Sequence, residues 1–372
     1  MFTHFFTDRP ILSSVISILS VLAMSCSQAL AQAPGRGAAA AQTVAEKAEK
    51  ESPWLIVPVF SISPKLGTSL GALVGYLHYF DEKSQVSMFG VTAQYTSTGS
   101  MVGSVFAKTS FEEDRQRLIA VLVGGNIKND YSDYLGTGQP LKSEDELRAA
   151  ATRYLYRVKD DWFGGVQAVY TNYTTFGQTP IDDQILNILG VTGFKSGGMG
   201  VAAYHDSRDI ESSPTQGWVL NANNIAYREW MGGSQNFDVY RADFRSFWSH
   251  GSGNVFAVRQ NNHWTDGAPA GAFPSMALRG YKQGQYLGKN MSSVEAEERY
   301  RIAEKWTATL FVGVGCLYGD GLSCSDNANI YPDSGVGVQY VLKRREGIVL
   351  NLEYAAGKDG NYGVYLKMGY GF

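Results

Sequence analysis

From Trp54 to Phe372 the chain alternates apolar residues with polar or small ones, with a period of two residues. The last segment shows the pattern most clearly, because every even position from Tyr362 to Phe372 is apolar or aromatic. Its odd positions hold Asn361, Lys367, three glycines and one tyrosine. Such alternation is typical of β-strands that have one face against an apolar medium and the other against water. The period therefore predicts an all-β chain.

Sixteen segments carry this pattern, and together they cover most of residues 54–372. They are 54–63, 67–80, 85–97, 100–112, 116–130, 145–158, 161–176, 194–206, 216–229, 235–250, 253–266, 289–302, 305–319, 335–342, 347–354 and 361–372. Connections after odd-numbered strands include long ones, such as 267–288, whereas those after even-numbered strands are mostly tight. An even strand number and two classes of connection are features of bacterial outer-membrane barrels. We expect a 16-stranded antiparallel transmembrane β-barrel over residues 54–372.

Charges on the second face of the strands separate this barrel from a soluble β-sandwich. Arg241, Asp243 and Arg245 share one strand face, and a dry sandwich core would not accept them, whereas a solvated lumen would. The mean hydropathy of −0.18 argues against a bundle of transmembrane helices. A net charge of −3 argues against a nucleic-acid partner bound through bulk charge.

The N-terminus has the features of an export signal. Residues 1–33 contain Arg9, an apolar stretch from Ile11 to Met24, and small residues at positions suited to signal peptidase. Residues 34–53 are rich in Ala, Glu and Lys and have no apolar stripe to bury, so we interpret them as a periplasmic linker. We therefore expect an outer-membrane protein of a Gram-negative bacterium.

Cysteines and histidines give little sign of a chemical site. Cys316 and Cys324 remain after removal of the signal, and they form either one local disulfide or two thiols. The histidines beyond the signal fall on separate strands, without the spacing of metal ligands or of a catalytic triad. We expect no cofactor, no metal and no enzymatic activity; a barrel lipase or protease is the disfavoured alternative.

Motifs in the second half of the chain resemble those of one family of barrels. Leu278, Arg279, Gly280 and Tyr281, in the longest loop, are similar to the Val/Leu-Arg-Gly-Phe/Tyr motif of the outer-membrane assembly-factor superfamily, the BamA/TamA and bacterial surface antigen family. Three further stretches support the resemblance. They are Pro58–Gly67 at the start of the barrel, the turn motif Asp206, Arg208, Asp209, Pro214 and Gly217, and Glu297 with Arg299 on strand twelve.

The resemblance implies that the loop between strands eleven and twelve folds back into the lumen. Its arginine then needs a carboxylate on the lumen wall, because a guanidinium in a partly desolvated lumen must be paired. By parity Glu295 and Glu297 face the lumen together with Arg299. We expect Arg279 to pair with Glu297.

The sequence departs from the family pattern at two places. The family's second acidic position on strand thirteen is Gly313 here, which predicts a weaker lock on the loop. The roughly 20 residues before Trp54 are too few for a periplasmic polypeptide-transport-associated domain, so the chain resembles the family's short members. A central role in barrel assembly therefore does not follow from the resemblance.

Two functions remain open on the sequence. The resemblance implies insertion or movement of polypeptide or lipid through a seam between the first and last strands; the alternative is a passive or gated pore with a charged lumen. The expected partners are outer-membrane lipid, a client polypeptide or lipid, and the barrel-assembly machinery. The last strand ends on Tyr370 and Phe372, which resembles the C-terminal signature that this machinery recognises.

Overall fold

The structure is a computed structural model that describes residues 53–63, 67–131, 141–188, 193–209, 213–269, 272–281, 286–343 and 348–368. The expected signal peptide (1–33), all but the last residue of the expected linker (34–53), and the C-terminal Tyr370 and Phe372 lie outside the described residues.

Sixteen β-strands make up most of the described chain, together with one α-helix, α1, and two single-turn 3-10 helices. The strands are β1 Trp54–Ser63, β2 Gly67–His78, β3 Ser87–Thr96, β4 Met101–Phe111, β5 Gln116–Tyr131, β6 Leu141–Lys159, β7 Trp162–Gly177, β8 Gly193–Asp206, β9 Gly217–Tyr227, β10 Phe237–His250, β11 Asn254–Asp266, β12 Asn290–Arg301, β13 Trp306–Tyr318, β14 Ile330–Lys343, β15 Ile348–Gly357 and β16 Tyr362–Met368; α1 is Pro180–Ile188. None of the helices in the described ranges is long and apolar enough to cross a membrane.

All sixteen strands belong to one sheet, in which each strand pairs antiparallel with its neighbour in sequence. The sheet curls into a barrel, so that the Cα atoms of β1 and β16 come within 8 Å of each other. The expected all-β, 16-stranded antiparallel barrel is confirmed, and the meeting of β1 with β16 forms a seam.

Side chains alternate between the lumen and the outer surface along each strand, as the pleat requires. On β12 the odd-numbered residues from Met291 to Arg299 are buried, whereas Val294 and Tyr300 are exposed on the outer face. Arg301, which parity would place in the lumen, is exposed because it lies at the end of the strand.

Two connections differ from the sequence-based expectation. The connection between β7 and β8 contains α1, in which Leu186 is buried. Strand β14 begins at Ile330, five residues before the expected start at 335. Pro332 and Asp333 are residues that strands disfavour, so the segment was expected to be a loop. The longer strand places Asp333 in the barrel wall.

Candidate functional site

The longest loop, residues 267–289, lies between β11 and β12 and folds into the lumen. Met276, Leu278 and Tyr281 are buried in one apolar cluster with lumen-facing side chains, which are Met291, Leu317 and Tyr331. This cluster holds the loop against the wall formed by β12, β13 and β14. The expected inward-folded loop is therefore present in the structure.

A tight turn at the centre of the loop presents the arginine to the wall. Gly280 has a φ of +90°, a backbone conformation that residues other than glycine rarely adopt. Its amide donates a hydrogen bond of 2.8 Å to the hydroxyl oxygen of Tyr365 on β16. The hydroxyl of Tyr281 donates to the carbonyl oxygen of Pro332 at 2.5 Å. The loop is thus fixed on both sides of Arg279.

Arg279 contacts three carboxylates of the lumen wall. Its Nε donates to Glu295 at 3.0 Å, and its Nη1 donates to Glu297 at 2.8 Å and to Glu353 at 3.3 Å. Arg279 is 8% exposed, and Glu297 and Glu353 are 1% exposed, so these contacts lie away from bulk solvent. Glu353 lies 74 residues from Arg279 in sequence, and the sequence motifs did not select it.

An aromatic ring completes the pocket for the guanidinium. The central carbon of the Arg279 guanidinium lies 3.3 Å from the ring centroid of Phe311 on β13, a cation–π arrangement. Gly335 on β14 leaves room for this ring, because a Cβ at that position would lie 2.1 Å from Cζ of Phe311. We call Arg279 with Glu295, Glu297, Glu353 and Phe311 the loop lock.

The loop lock extends to the opposite end of the barrel through a second arginine. Arg299 donates from Nε to Glu297 at 2.8 Å and from Nη1 to the carbonyl oxygen of Pro214 at 3.1 Å. Glu297 therefore lies between two guanidinium groups, one from the loop and one from its own strand. The structure thus brings the loop motif, the strand-twelve motif and the turn motif into one chain of hydrogen bonds, which their sequence spacing does not reveal.

The turn between β8 and β9 is built by the other residues of its motif. Asp206 receives two hydrogen bonds from Arg208, each of 2.7 Å. Asp209 accepts from the amide and hydroxyl of Thr215 at 2.9 and 2.6 Å. Gly217 has a φ of +94°, and a Cβ there would lie 2.3 Å from the carbonyl oxygen of Ser207. These contacts fix the backbone that offers the Pro214 carbonyl to Arg299.

The glycine on strand thirteen does not leave the lock short of acidic groups. Asp333 is the ladder partner of Gly313 on β14 and is 5% exposed. A Cβ at position 313 would lie 2.2 Å from Oδ1 of Asp333 and 2.7 Å from Cγ of Glu295. Asp333 therefore places an acidic side chain beside Gly313, and the weaker lock stays a prediction.

The two cysteines form a disulfide between β13 and the connection that follows it. Cys316 and Cys324 have Cα atoms 5.7 Å apart and are bonded in the structure. Of the two alternatives that the sequence left open, the structure contains the disulfide. Within the described ranges, no group of three or more histidine, cysteine or acidic side chains is arranged to hold a metal ion.

Comparison with known proteins finds likeness in three dimensions only. No family model and no curated protein matches the sequence. The solved structures that match include BamA from Haemophilus ducreyi, in a structure lacking POTRA domains 1-3, and CdiB from Acinetobacter baumannii and from Escherichia coli, with TM-scores of 0.57 to 0.58. The chain has the barrel fold of BamA and CdiB.

The likeness covers most of this chain at low sequence identity. The identities are 13% to BamA and 14% and 10% to the two CdiB proteins, over 86%, 85% and 86% of the chain. The matched part spans 69% of the BamA chain and 59% and 63% of the CdiB chains. The resemblance inferred from the motifs is confirmed at the level of the fold.

Proposed function

We propose that the chain is an outer-membrane barrel that inserts or moves polypeptide or lipid through the seam between β1 and β16. The observation that carries this proposal is the lumen loop, which Arg279, Gly280 and Tyr281 fix to β12, β14, β15 and β16, on one side of the seam. The shared fold with BamA and CdiB supports this general kind of role. The role needs no catalytic group, cofactor or metal.

The two strands that border the seam differ in their described ladders. β1 is joined to β2 by ten residue pairs. The described part of β16 is seven residues long, and its ladder runs to β15. Pro58 in β1 has no backbone N–H to donate across either side. β1 therefore offers one backbone donor fewer than a strand without proline, which favours opening beside it.

The loop lock keeps the rest of the wall in place when the seam opens. Arg279 and Tyr281 tie the loop to β12, β14 and β15, and Gly280 ties it to β16. The last strands thus form one unit with the loop, and this unit can separate from β1 without losing its own contacts. The partners that follow are outer-membrane lipid and a client polypeptide or lipid, with the barrel-assembly machinery needed for the chain's own insertion.

Reconstitution with a reversible cross-link across the seam tests the proposal. Single cysteines along 54–63 and 362–368 are paired, and a pair that closes on oxidation is kept. We expect vesicles that contain the barrel to speed the insertion of an unfolded outer-membrane barrel several-fold over empty vesicles, and the cross-link to abolish this gain. A reductant should restore it, with the barrel lacking the added cysteines as control for the native disulfide. Equal rates with the seam open and closed would contradict the proposal.

A gated pore is the second candidate, and the charged lumen wall favours it. Asp243, Arg245 and Arg259 face the lumen as one ion-paired group. A pore predicts steady ion conductance through the intact barrel, whereas a lumen filled by the loop predicts little. Conductance therefore separates the two functions.

A further inference from the structure

Two arginines of the lumen wall have no acidic partner in the described residues, outside the loop lock. Arg153 lies on β6, where its Nε and Nη2 donate to Oε1 of Gln167 at 2.8 and 2.5 Å. Its Nη1 donates to Oδ1 of Asn221 at 3.1 Å. Both acceptors are neutral amides. They accept hydrogen bonds from all three nitrogens of the guanidinium, but they do not compensate its positive charge.

The second arginine, Arg241 on β10, lacks even neutral acceptors. Its Nη2 is enclosed by protein and has no hydrogen-bond partner, and no ion pair of Arg241 is found in the described part of the chain. Its ladder neighbours are Asn223 on β9 and His263 on β11. Nε2 of His263 is likewise enclosed without a partner. Arg241 is close enough to act electrostatically on both Arg153 and His263.

Asp243, on the same strand as Arg241, does not neutralise Arg241 or Arg153. Asp243 receives Nε of Arg245 at 2.6 Å on one carboxylate oxygen. Its other oxygen receives Nε and Nη2 of Arg259 at 2.9 and 2.7 Å. One carboxylate thus serves two other guanidinium groups. The wall formed by β6, β9, β10 and β11 therefore keeps a positive charge at Arg153 and Arg241.

A partly desolvated guanidinium without a counter-charge is costly, and elsewhere in this lumen the chain avoids that cost. Arg279 has three carboxylates. By contrast, Arg153 and Arg241 have none, yet both keep part of their surface open to the lumen. An oxyanion from outside the chain would supply the missing charge, and a guanidinium fork matches the oxygens of a phosphate group.

We propose that Arg241 and Arg153, with His263 beside them, form a binding site in the lumen for a phosphate-type oxyanion. Free phosphate and the headgroup of an anionic phospholipid offer the same chemistry. The guanidinium groups of Arg241 and Arg153, whose side chains are partly open to the lumen, are the donors that such a group would engage, and His263 lies beside Arg241. The site lies on the wall of β6, β10 and β11, and its existence does not depend on whether the seam opens.

Titration calorimetry on the full barrel in a phosphate-free, nonionic detergent tests the site. Sodium phosphate is the probe, and sodium chloride keeps the ionic strength constant. We expect saturable binding with one phosphate per barrel, and binding at least about 10-fold weaker in Arg241→Gln, because a charge-assisted hydrogen bond is lost. Arg301→Gln, at an exposed arginine on β12, is the matched control and should bind as the unaltered barrel does.

The melting temperature without phosphate separates an anion site from a structural arginine. Arg241 donates no hydrogen bond in the described residues, so Arg241→Gln removes an uncompensated charge and should melt at or above the unaltered barrel. Phosphate should then raise the melting temperature of the unaltered barrel and of Arg301→Gln, but not that of Arg241→Gln. Absence of saturable phosphate binding, or equal binding by Arg241→Gln, would overturn the proposal.

Competition identifies the source of the phosphate group. Dihexanoyl phosphatidic acid, a soluble short-chain lipid, is titrated against bound phosphate. Displacement well below the concentration at which free phosphate binds assigns the site to a lipid headgroup. Displacement only at equal or higher concentration assigns it to the free ion. Either result supports the oxyanion site. If the lipid binds Arg241→Gln as tightly as it binds the unaltered barrel, the lipid binds elsewhere, and its headgroup is not the ligand of this site.

Discussion

The two halves of the barrel present different walls to the lumen. In the half formed by β1–β8, most of the buried lumen-facing side chains are uncharged. The apolar ones include Leu73, Met88, Phe106, Val123 and Leu147, and polar ones such as Ser104, Gln167 and Thr171 lie among them. In the half formed by β9–β16, the buried lumen-facing side chains include the charged residues Arg259, Glu295, Glu297, Arg299, Asp333 and Glu353.

The difference shows how one half of the lumen wall can hold the loop in a defined position while the other half does not. Ion pairs have a definite geometry, so the second half holds the loop in one position through Arg279. Apolar contacts have no direction, so the first half stabilises the wall without selecting one arrangement of it. The two halves meet at the β8–β9 ladder and at the seam between β1 and β16. The half that binds the loop through charged groups is the one that we expect to stay fixed when the wall opens at the seam.

Arg279→Ala should have the largest effect on the charged half of the barrel. It leaves Glu295, Glu297 and Glu353 buried without the loop arginine, and we expect a loss of about 3–5 kcal/mol in the free energy of unfolding. Urea titration in detergent measures that loss, and proteolysis of residues 267–288 reports release of the loop. Arg301→Ala is the matched control, because its side chain is exposed. Unchanged protease sensitivity would show that the loop is not held by Arg279.

Leu147→Ala should weaken the apolar half without releasing the loop. Leu147 is fully buried, so its truncation leaves a cavity and should cost about 2–4 kcal/mol. Residues 267–288 should stay as resistant to protease as in the unaltered barrel. Val158→Ala, on an exposed side chain of the same strand, is the control. Release of the loop by Leu147→Ala would mean that the two halves are not independent.

Gly313→Asp should show that Asp333 already fills the acidic position beside the lock. The new Cβ meets Asp333 and Glu295 at less than 3 Å, so we expect a loss of about 1–3 kcal/mol. Adding Asp333→Gly should recover much of it, giving a coupling energy of about 1 kcal/mol or more in a double-mutant cycle. If the stability losses of the two substitutions simply added, Asp333 would not be the residue that fills the acidic position beside Gly313.

Acid should affect a charged cluster in the turn between β4 and β5, outside the strands. Burial raises the pKa of Asp114, but hydrogen bonds from Arg117 and the charge of Arg157 outweigh it and lower the pKa below its ordinary value of 3.8. The stabilisation is therefore present above pH 3.8 and is lost as pH falls through the lowered pKa. Asp114→Asn should cost about 1 kcal/mol at pH 7 and make stability less sensitive to acid below pH 4. An unchanged acid profile would exclude this contribution.

Alternation and motifs were sufficient to predict the strands and the loop. The sixteen segments and the residues from Leu278 to Tyr281 follow from local pattern, because a half-solvated strand must alternate. The start of β14 did not follow, because Pro332 and Asp333 disfavour a strand locally and the ladder to β13 overrides that preference. Strand parity placed Glu353 in the lumen, but only the curvature of the barrel brings it to Arg279.

Links across the fold were equally invisible in the sequence. The hydrogen bond from Arg299 to the carbonyl of Pro214 joins two motifs 85 residues apart. It depends on a backbone oxygen, which carries no sequence signal. The lack of a carboxylate at Arg241 was also hidden, because Asp243 lies two residues away on the same strand face.

Planar-bilayer conductance of the purified barrel tests the central claim, that the loop lock holds residues 267–289 in the lumen. The intact barrel is compared with a deletion of residues 270–288 and with Arg279→Ala. We predict that the intact barrel is mostly closed, that the deletion gives a large steady current, and that Arg279→Ala gives frequent openings. Equal conductance of the intact and deleted barrels would contradict the claim and favour a simple pore.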